Sequence, residues 1–217
     1  MGRPASARID VQKKTLKASE QDRPDVAAAR AAWPSRVAAW LAAGRRLIFL
    51  DETGAKTDFT RLRGWAPKGE RRHAKAPFGH WHSTTLAAAV TAGAVVAAFA
   101  YPGATDGAAF ATFATAVLLP ELKPGDVVIL DNLAAHRNAA VHQRFAEAGV
   151  EIAFLPAYSP DLNPIENVFS KIKTLLRRAE ARTFDALTST IGRILDRFNP
   201  ADTANPVRHA GYGNKKT

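Results

Sequence analysis

The clearest pattern in the chain is a short apolar run that ends in an acidic residue, and it occurs twice. Residues 46–51 read Arg-Leu-Ile-Phe-Leu-Asp, and residues 127–131 read Val-Val-Ile-Leu-Asp. Uninterrupted apolar runs of this length are typical of strands that are buried on both faces of a sheet. The sequence therefore predicts two similar strands, whose C-terminal ends carry Asp51 and Asp131.

Further strands and helices fill the rest of the chain. Apolar segments predict strands at about residues 82–91, 95–101 and 151–155. Apolar positions at helical spacing predict helices at about 106–119 and 138–148, one that begins at Pro164, and a last one at about 184–198. Residues 46–200 are therefore expected to form one domain, and the Gly-, Asn- and Lys-rich residues 201–217 a flexible tail.

The N-terminal residues 1–45 are expected to be a basic, partly helical arm or linker. Residues 1–46 hold ten Lys and Arg against four Asp and Glu, a net charge of +6. Ala-rich composition predicts a helix from Pro24, interrupted at Pro34 and followed by a second helix. A helix-turn-helix of normal length does not fit before Arg46.

Composition restricts the classes of function. The 217 residues, 47% of them hydrophobic, suffice for one buried core plus an arm. A net charge of +10 suits a polyanionic partner such as nucleic acid. The absence of cysteine excludes disulfides, thiolate zinc sites and cysteine nucleophiles. The most apolar run, residues 86–101, is shorter than the roughly 20 residues of a spanning helix, so no membrane role is expected.

The two strand-end aspartates are candidates for a metal site. A carboxylate at the end of a buried strand is costly unless it is solvated, paired or bound to a cation. If the two strands are parallel neighbours, Asp51 and Asp131 lie at the same edge of the sheet. Because such a site offers hard oxygen ligands and no thiolates, it favours Mg²⁺ or Mn²⁺ over zinc.

Glu166 allows two interpretations. In the segment Asn163-Pro-Ile-Glu166, the Asn can cap the helix, with the Glu three residues later completing a capping box. Alternatively, Glu166 is a third metal-binding carboxylate at the start of that helix.

Several basic residues are candidates for DNA contacts. Residues 54–80 predict a basic hairpin or loop, and Lys173 and Arg177 share a helix face with Glu166. A solvated surface explains such charges equally well. His136 either touches the scissile phosphate or orients a carboxylate, whereas Glu52 is expected to point away from Asp51 and Asp161 to lie in a turn. The candidate DNA contacts are Arg61, Arg63, Lys68, Arg71, Arg72, His136, Lys173 and Arg177.

Four motifs together resemble those of a known family. They are Leu-Asp51-Glu-Thr-Gly, Arg63-Gly-Trp-Ala-Pro-Lys-Gly69, Leu-Asp131-Asn-Leu-Ala-Ala-His136 and Leu155-Pro-Ala-Tyr-Ser-Pro-Asp-Leu-Asn-Pro-Ile-Glu166. With 34 residues between Asp131 and Glu166, the pattern resembles the DDE transposases of bacterial insertion sequences in the mariner superfamily. The resemblance covers about residues 45–200.

The resemblance implies a fold, a site and a reaction. The fold is a ribonuclease H-like α/β fold with a mixed central sheet flanked by helices, Asp51 on the first strand, Asp131 on the fourth and Glu166 on a later helix. These three acids bind two Mg²⁺ or Mn²⁺ ions, about 3.5 to 4 Å apart in two-metal sites. The reaction is nicking of DNA at transposon ends, followed by strand transfer into target DNA.

The resemblance also implies partners and a location. It implies a homodimer that binds transposon ends and target DNA in the bacterial cytoplasm, associated with the nucleoid. Family members begin with helix-turn-helix modules, which this sequence does not contain. Two explanations are open: these modules come from a separately encoded part, or the chain is a truncated form.

Two other functions remain open. One is a non-catalytic DNA-binding or inhibitory fragment of a transposase. The other is a phosphatase-type hydrolase with Asp51 as nucleophile, which is disfavoured because that class has a second Asp where this chain has Thr53.

Overall fold

A five-stranded mixed sheet forms the centre of the protein. The computed structural model describes residues 18–71, 73, 75–77 and 83–213. The strand order is β3-β2-β1-β4-β5. The strands are β1 (Leu47–Lys56), β2 (Ser83–Thr91), β3 (Ala94–Pro102), β4 (Val127–Leu130) and β5 (Glu151–Phe154).

The two strands with terminal acids lie side by side and parallel, as the sequence analysis required for a shared site. Phe49 of β1 is opposite Ile129 of β4, and continuing this register places Asp51 opposite Asp131. The prediction that Asp51 ends its strand is wrong, because β1 continues to Lys56. Beyond the end of β4, β1 still pairs with the longer antiparallel strand β2 on its other side.

Helices cover both faces of the sheet. They are α1 (Pro24–Ala42), α2 (Gly107–Thr112, continued by a π-helical turn, Phe113–Leu118), α3 (Ala139–Glu147), α4 (Ile165–Ala179), α5 (Phe184–Leu195) and α6 (Ala201–His209). Alternate residues of β1 point to opposite faces. Phe49 belongs to the core under α1, α4, α5 and α6, and Leu50 belongs to the core under α2 and α3.

Residues 24–42 form one helix that belongs to the core, so the prediction of a break at Pro34 is wrong, and so is that of a separate arm for the described part of residues 1–45. Residues 1–17 lie outside the described residues. A proline inside a helix removes one hydrogen bond and usually kinks the helix. Here Trp33 and Trp40, whose rings are 5.6 Å apart, are both buried on the same face of α1. This packing holds the helix together across the proline.

The predicted flexible tail is also wrong for residues 201–213. α6 buries Val207 in the main core, and Tyr212 follows it with only 4% exposure. These apolar residues are too sparse to give a clear periodic pattern, so their burial depends on the tertiary packing. Residues 214–217 lie outside the described residues. Within the described part of the chain, no helix is long and apolar enough to cross a membrane.

Candidate active site

Asp51 lies buried at the point where β1 passes the end of β4. Its side chain is only 8% exposed. One carboxylate oxygen, Oδ1, accepts a hydrogen bond of 2.7 Å from the backbone N–H of Glu52. The other, Oδ2, accepts one of 2.8 Å from the side-chain amide of Asn163. Asp131 follows β4 directly, and its side chain is 38% exposed.

The pKa of Asp51 reveals a concentration of negative charge. Burial raises this pKa from 3.8 to about 7, and the nearby charges of Asp131, Glu166 and Glu52 contribute to the rise. Like charges around a buried carboxylate disfavour its ionised form. The site would therefore be stabilised by a cation, as expected of a metal-binding cluster of acids.

Asn163 is a site residue whose role the sequence analysis missed. The capping-box prediction is wrong, because α4 begins at Ile165 with Pro164 as its cap residue, and Asn163 makes no cap hydrogen bond. Its amide N–H₂ points at Asp51, while its own Oδ1 is buried without a hydrogen-bond partner. Glu166 lies exposed in the first turn of α4. The only signal for Asn163 was its place in the Asn-Pro-Ile-Glu motif.

His136 connects two acids and cannot contact DNA directly. Its ring is fully buried, with Nδ1 2.7 Å from Oδ1 of Asp131 and Nε2 3.0 Å from Oε2 of Glu52. Burial alone would lower the pKa of His136, but the hydrogen bonds to Asp131 and Glu52 outweigh it and raise the pKa to about 10. The prediction of a DNA contact is therefore wrong, and the alternative, that His136 orients a carboxylate, fits the geometry.

Glu52 is a second participant that the sequence analysis dismissed. Its neighbour in sequence, Asp51, bonds Asn163, whereas the Glu52 carboxylate bonds His136. The two side chains thus point in different directions, as the alternation of side chains along a strand predicts. Nothing local in the sequence indicates that the second acid of Asp51-Glu52 meets a histidine 84 residues away.

The carboxylates suit a hard divalent cation in their chemistry, but their side chains are not gathered in ligating positions. Asp51, Asp131 and Glu166 offer only oxygen ligands, which Mg²⁺ and Mn²⁺ prefer. Among the described residues, no group of three or more His, Cys, Asp or Glu side chains is placed to hold a metal ion. Binding would therefore require side-chain rotation at this edge of the sheet.

The predicted basic segment is an irregular loop over its described residues 57–71, 73 and 75–77, which contain no strand. Four of the candidate DNA contacts are exposed there, namely Arg61, Arg63, Lys68 and Arg71. Arg72 lies outside the described residues. Trp65, which the sequence analysis did not single out, is 97% exposed on the same loop.

The two basic residues predicted on α4 are both half-buried. The Arg177 guanidinium lies 5.0 Å from the ring centre of Phe59, at the start of the basic loop. Arg177 therefore helps to hold the loop against α4. A DNA contact by Lys173 or Arg177 stays a prediction.

Comparisons with known proteins agree with this architecture. The family model described as DDE superfamily endonuclease matches residues 46–188. The comparison with curated proteins finds no match.

Solved structures extend the likeness beyond the matched range. A pre-cleavage Mos1 transpososome has a TM-score of 0.77 at 14% identity, over 94% of this chain and 64% of that chain. A Mos1 mariner paired-end complex with Mn has a TM-score of 0.74 at 16% identity, over 93% of this chain and 64% of that chain. The catalytic domain of Mos1 mariner transposase has a TM-score of 0.66 at 14% identity, over 90% of this chain and 92% of that chain. The chain thus spans about 64% of the length of the first structures, and the likeness confirms the ribonuclease H-like fold.

Proposed function

Because the chain belongs to the DDE superfamily endonuclease family, we propose that it is the catalytic domain of a DNA transposase from a bacterial insertion sequence. It hydrolyses phosphodiesters at transposon ends, and the freed 3′-hydroxyl then attacks a phosphodiester of the target DNA, forming a new phosphodiester and releasing a target 3′-hydroxyl. The observation that carries the proposal is the meeting of Asp51 and Asp131 on adjacent parallel strands, within the electrostatic reach of Glu166.

Two divalent ions, Mg²⁺ or Mn²⁺, would be held by Asp51, Asp131 and Glu166. Such ions activate a water or a sugar hydroxyl and stabilise the leaving oxygen. Similar Mos1 structures were obtained with Mn and with Mg, which supports this choice of metal. The raised pKa of Asp51 means that its carboxyl must give up a proton near neutral pH to become a ligand.

The remaining residues of the site orient these acids. Asn163 directs its amide to Oδ2 of Asp51 and so fixes the plane of that carboxylate. His136 holds Oδ1 of Asp131, and Glu52 holds the opposite side of the imidazole ring. A ligand that is fixed in this way loses less conformational entropy when a cation or substrate binds.

DNA is the proposed partner. The exposed basic loop has the charge to follow a phosphate backbone, and Trp65 has an aromatic face on which a base could stack. The similar Mos1 structures include a paired-end complex with a transposon end, which supports a DNA-bound homodimer. A helix-turn-helix part that reads the transposon ends is proposed to come from a separate polypeptide, in a cytoplasmic, nucleoid-associated complex.

Replacement of Asp131 tests the reaction. Asp131→Asn is expected to abolish Mn²⁺-dependent cleavage of transposon-end DNA while the protein stays folded. Asp185→Asn, an exposed acid in the first turn of α5, is the matched control and should cleave at the wild-type rate. Unchanged cleavage by Asp131→Asn would refute the assignment of the site.

The basic loop is tested by the salt dependence of DNA binding. If Arg61 and Arg63 each contact a phosphate, replacing both with Ala makes the negative slope of log K against log salt shallower by about 2. Arg23→Ala is the control, because Arg23 pairs locally with Asp25. An unchanged slope would exclude both arginines from the DNA interface.

A second candidate function is non-catalytic DNA binding, as an inhibitory transposase fragment. It is favoured by one observation, namely that the described acidic side chains are not in ligating positions. Salt-sensitive DNA binding with no cleavage in Mg²⁺ or Mn²⁺ would select this function over catalysis.

A further inference from the structure

Both ends of the described chain contact the connecting loop (residues 155–164) between β5 and α4. Arg30 of α1 donates from Nη1 to Oδ1 of Asp161 at 2.9 Å and from Nη2 to Oδ2 at 2.7 Å. The same Nη1 donates to the Ser159 hydroxyl at 2.6 Å. A planar guanidinium that binds a carboxylate through two hydrogen bonds fixes direction as well as distance.

The C-terminal end of the chain contacts the same loop from another direction. The Tyr212 hydroxyl donates to the backbone carbonyl of Leu162 at 2.6 Å and accepts from the indole N–H of Trp33 at 2.8 Å. The Tyr212 ring lies 4.5 Å from that of Phe49, two residues before Asp51 on β1. α1, the loop and β1 are therefore joined through one buried tyrosine.

The loop also has a backbone conformation that needs support. Tyr158 has a φ of 55°, which non-glycine residues adopt infrequently. Its carbonyl accepts a hydrogen bond of 2.6 Å from the Gln21 side chain, just before α1. Three side chains from the two ends of the described chain, those of Gln21, Arg30 and Tyr212, thus donate hydrogen bonds to the loop. Their acceptors lie at three successive points, at Tyr158, at Ser159 with Asp161, and at Leu162.

The loop leads into two residues of the candidate active site, Asn163 and Glu166. Asn163 is bonded to Asp51, and Glu166 lies three residues later, in the first turn of α4. A loop that rotates or shifts would move both relative to β1. The residues that prevent this, Gln21, Arg30, Trp33 and Tyr212, all lie outside the matched family range of 46–188.

We propose that residues 18–45 and 210–213 form a clamp on this loop, in which Arg30 and Tyr212 are positioning residues that hold Asn163 on Asp51 and so fix the start of α4, which carries Glu166. The proposal rests on the proposed function for its catalytic consequence, but its structural part does not. Residues 18–45 and 210–213 are thus functional parts of the catalytic unit.

The structural part is tested by amide hydrogen exchange on the full, metal-free chain. Arg30→Ala should speed exchange at Leu162, Asn163 and Glu166, whose N–H groups bond carbonyls within the loop, by roughly tenfold or more, because the opening free energy of the loop falls. Arg30→Lys keeps the charge without the planar fork and should give an intermediate rate.

Arg36→Ala is the matched control. Arg36 lies on the same helix, stacks 4.7 Å from Trp40 and bonds Glu151 of β5, so its loss weakens α1 docking without touching the loop. Faster loop exchange in Arg30→Ala but not in Arg36→Ala supports the clamp. Equal loop exchange in the two variants overturns it.

The catalytic part is tested by cleavage and by Mn²⁺ binding, measured by calorimetry. Arg30→Ala and Tyr212→Phe should lower kcat by about 10- to 100-fold, as expected for small misplacements of reacting groups, and weaken Mn²⁺ binding, with the KM for DNA unchanged. Arg30→Lys should restore part of kcat. A change in KM with kcat intact contradicts a positioning role.

The two proposals fail in different ways. If the wild-type protein neither cleaves DNA nor binds Mn²⁺, yet Arg30→Ala speeds loop exchange, the proposed function is wrong and the clamp is supported. If the wild type cleaves and both clamp variants match it in rate and exchange, the clamp is wrong. Tyr212→Phe, which removes a single hydroxyl, keeps the test available if Arg30→Ala does not fold.

Discussion

Asp51→Asn is predicted to stabilise the metal-free protein while it removes the activity. The side chain is 8% exposed, and its charge is opposed by burial and by neighbouring acids. The new amide has the same shape and can keep the hydrogen bond from the Glu52 N–H. If the Asn163 amide turns over, its unpartnered Oδ1 can accept from the new N–H₂ group. The substitution therefore removes a buried charge, while the turned Asn163 N–H₂ takes the buried position in which Oδ1 had no partner, which offsets part of the gain.

The magnitude follows from the pKa of Asp51. A rise in the pKa of Asp51 from 3.8 in the unfolded chain to about 7 in the folded protein lowers the free energy of unfolding by about 4 kcal/mol, at about 1.4 kcal/mol per pKa unit. Because the folded pKa is the higher one, the native state binds more protons between these values, and wild-type stability falls as the pH rises through them. The destabilisation caused by ionised Asp51 is absent below pH 3.8, reaches about 2 kcal/mol at pH 5 and is complete above pH 7.

The assay is urea unfolding in EDTA at pH 5 and pH 8. Asp51→Asn should be more stable than the wild type by up to about 4 kcal/mol at pH 8, and by about half of that at pH 5. Asp185→Asn, an exposed acid on α5, should change stability by less than about 0.5 kcal/mol at either pH. A difference that does not depend on pH, or a destabilised Asp51→Asn, would refute the electrostatic account.

Three further predictions concern stability. His136→Ala leaves two acids without their shared imidazole and should cost about 3 kcal/mol in urea unfolding; a loss under 1 kcal/mol contradicts the bridge. Asp126→Asn removes the buried carboxylate that pairs with Arg46. Burial opposes ionisation of Asp126, but the hydrogen bond from Arg46 helps to hold its pKa below the usual range. The cost of this substitution should be complete at pH 7, decline as the pH falls below about 3.8 and vanish once the pH falls through the lower pKa of folded Asp126, where the wild-type carboxyl is also protonated; a constant cost contradicts the ion pair. Val207→Ala should cost about 2 kcal/mol, whereas Arg208→Ala should be neutral, and equal effects would contradict the packing of α6.

The candidate site was predictable where its residues lie at positions marked by local pattern. Asp51 and Asp131 follow apolar runs of the length and composition typical of buried strands, and Glu166 was identified through its motif and its spacing from Asp131. Asn163 was noticed in the sequence only as a helix cap, and His136 with two open roles, of which orienting a carboxylate fits the structure. Their partners are 112 and 84 residues away, and helix capping offered Asn163 a plausible local alternative.

The sequence by itself determined the strands that carry the aspartates, the spacing to Glu166 and the amphipathic helix on which Glu166 lies, because local hydrophobic periodicity and covalent spacing specify them. Only the tertiary structure decided that α1 and Tyr212 pack into the core and bond the loop before α4, that His136 is buried between two acids and that Asn163 bonds Asp51. These features depend on long-range packing, in which distant segments exclude water together and make polar groups find partners. No local pattern specifies that outcome.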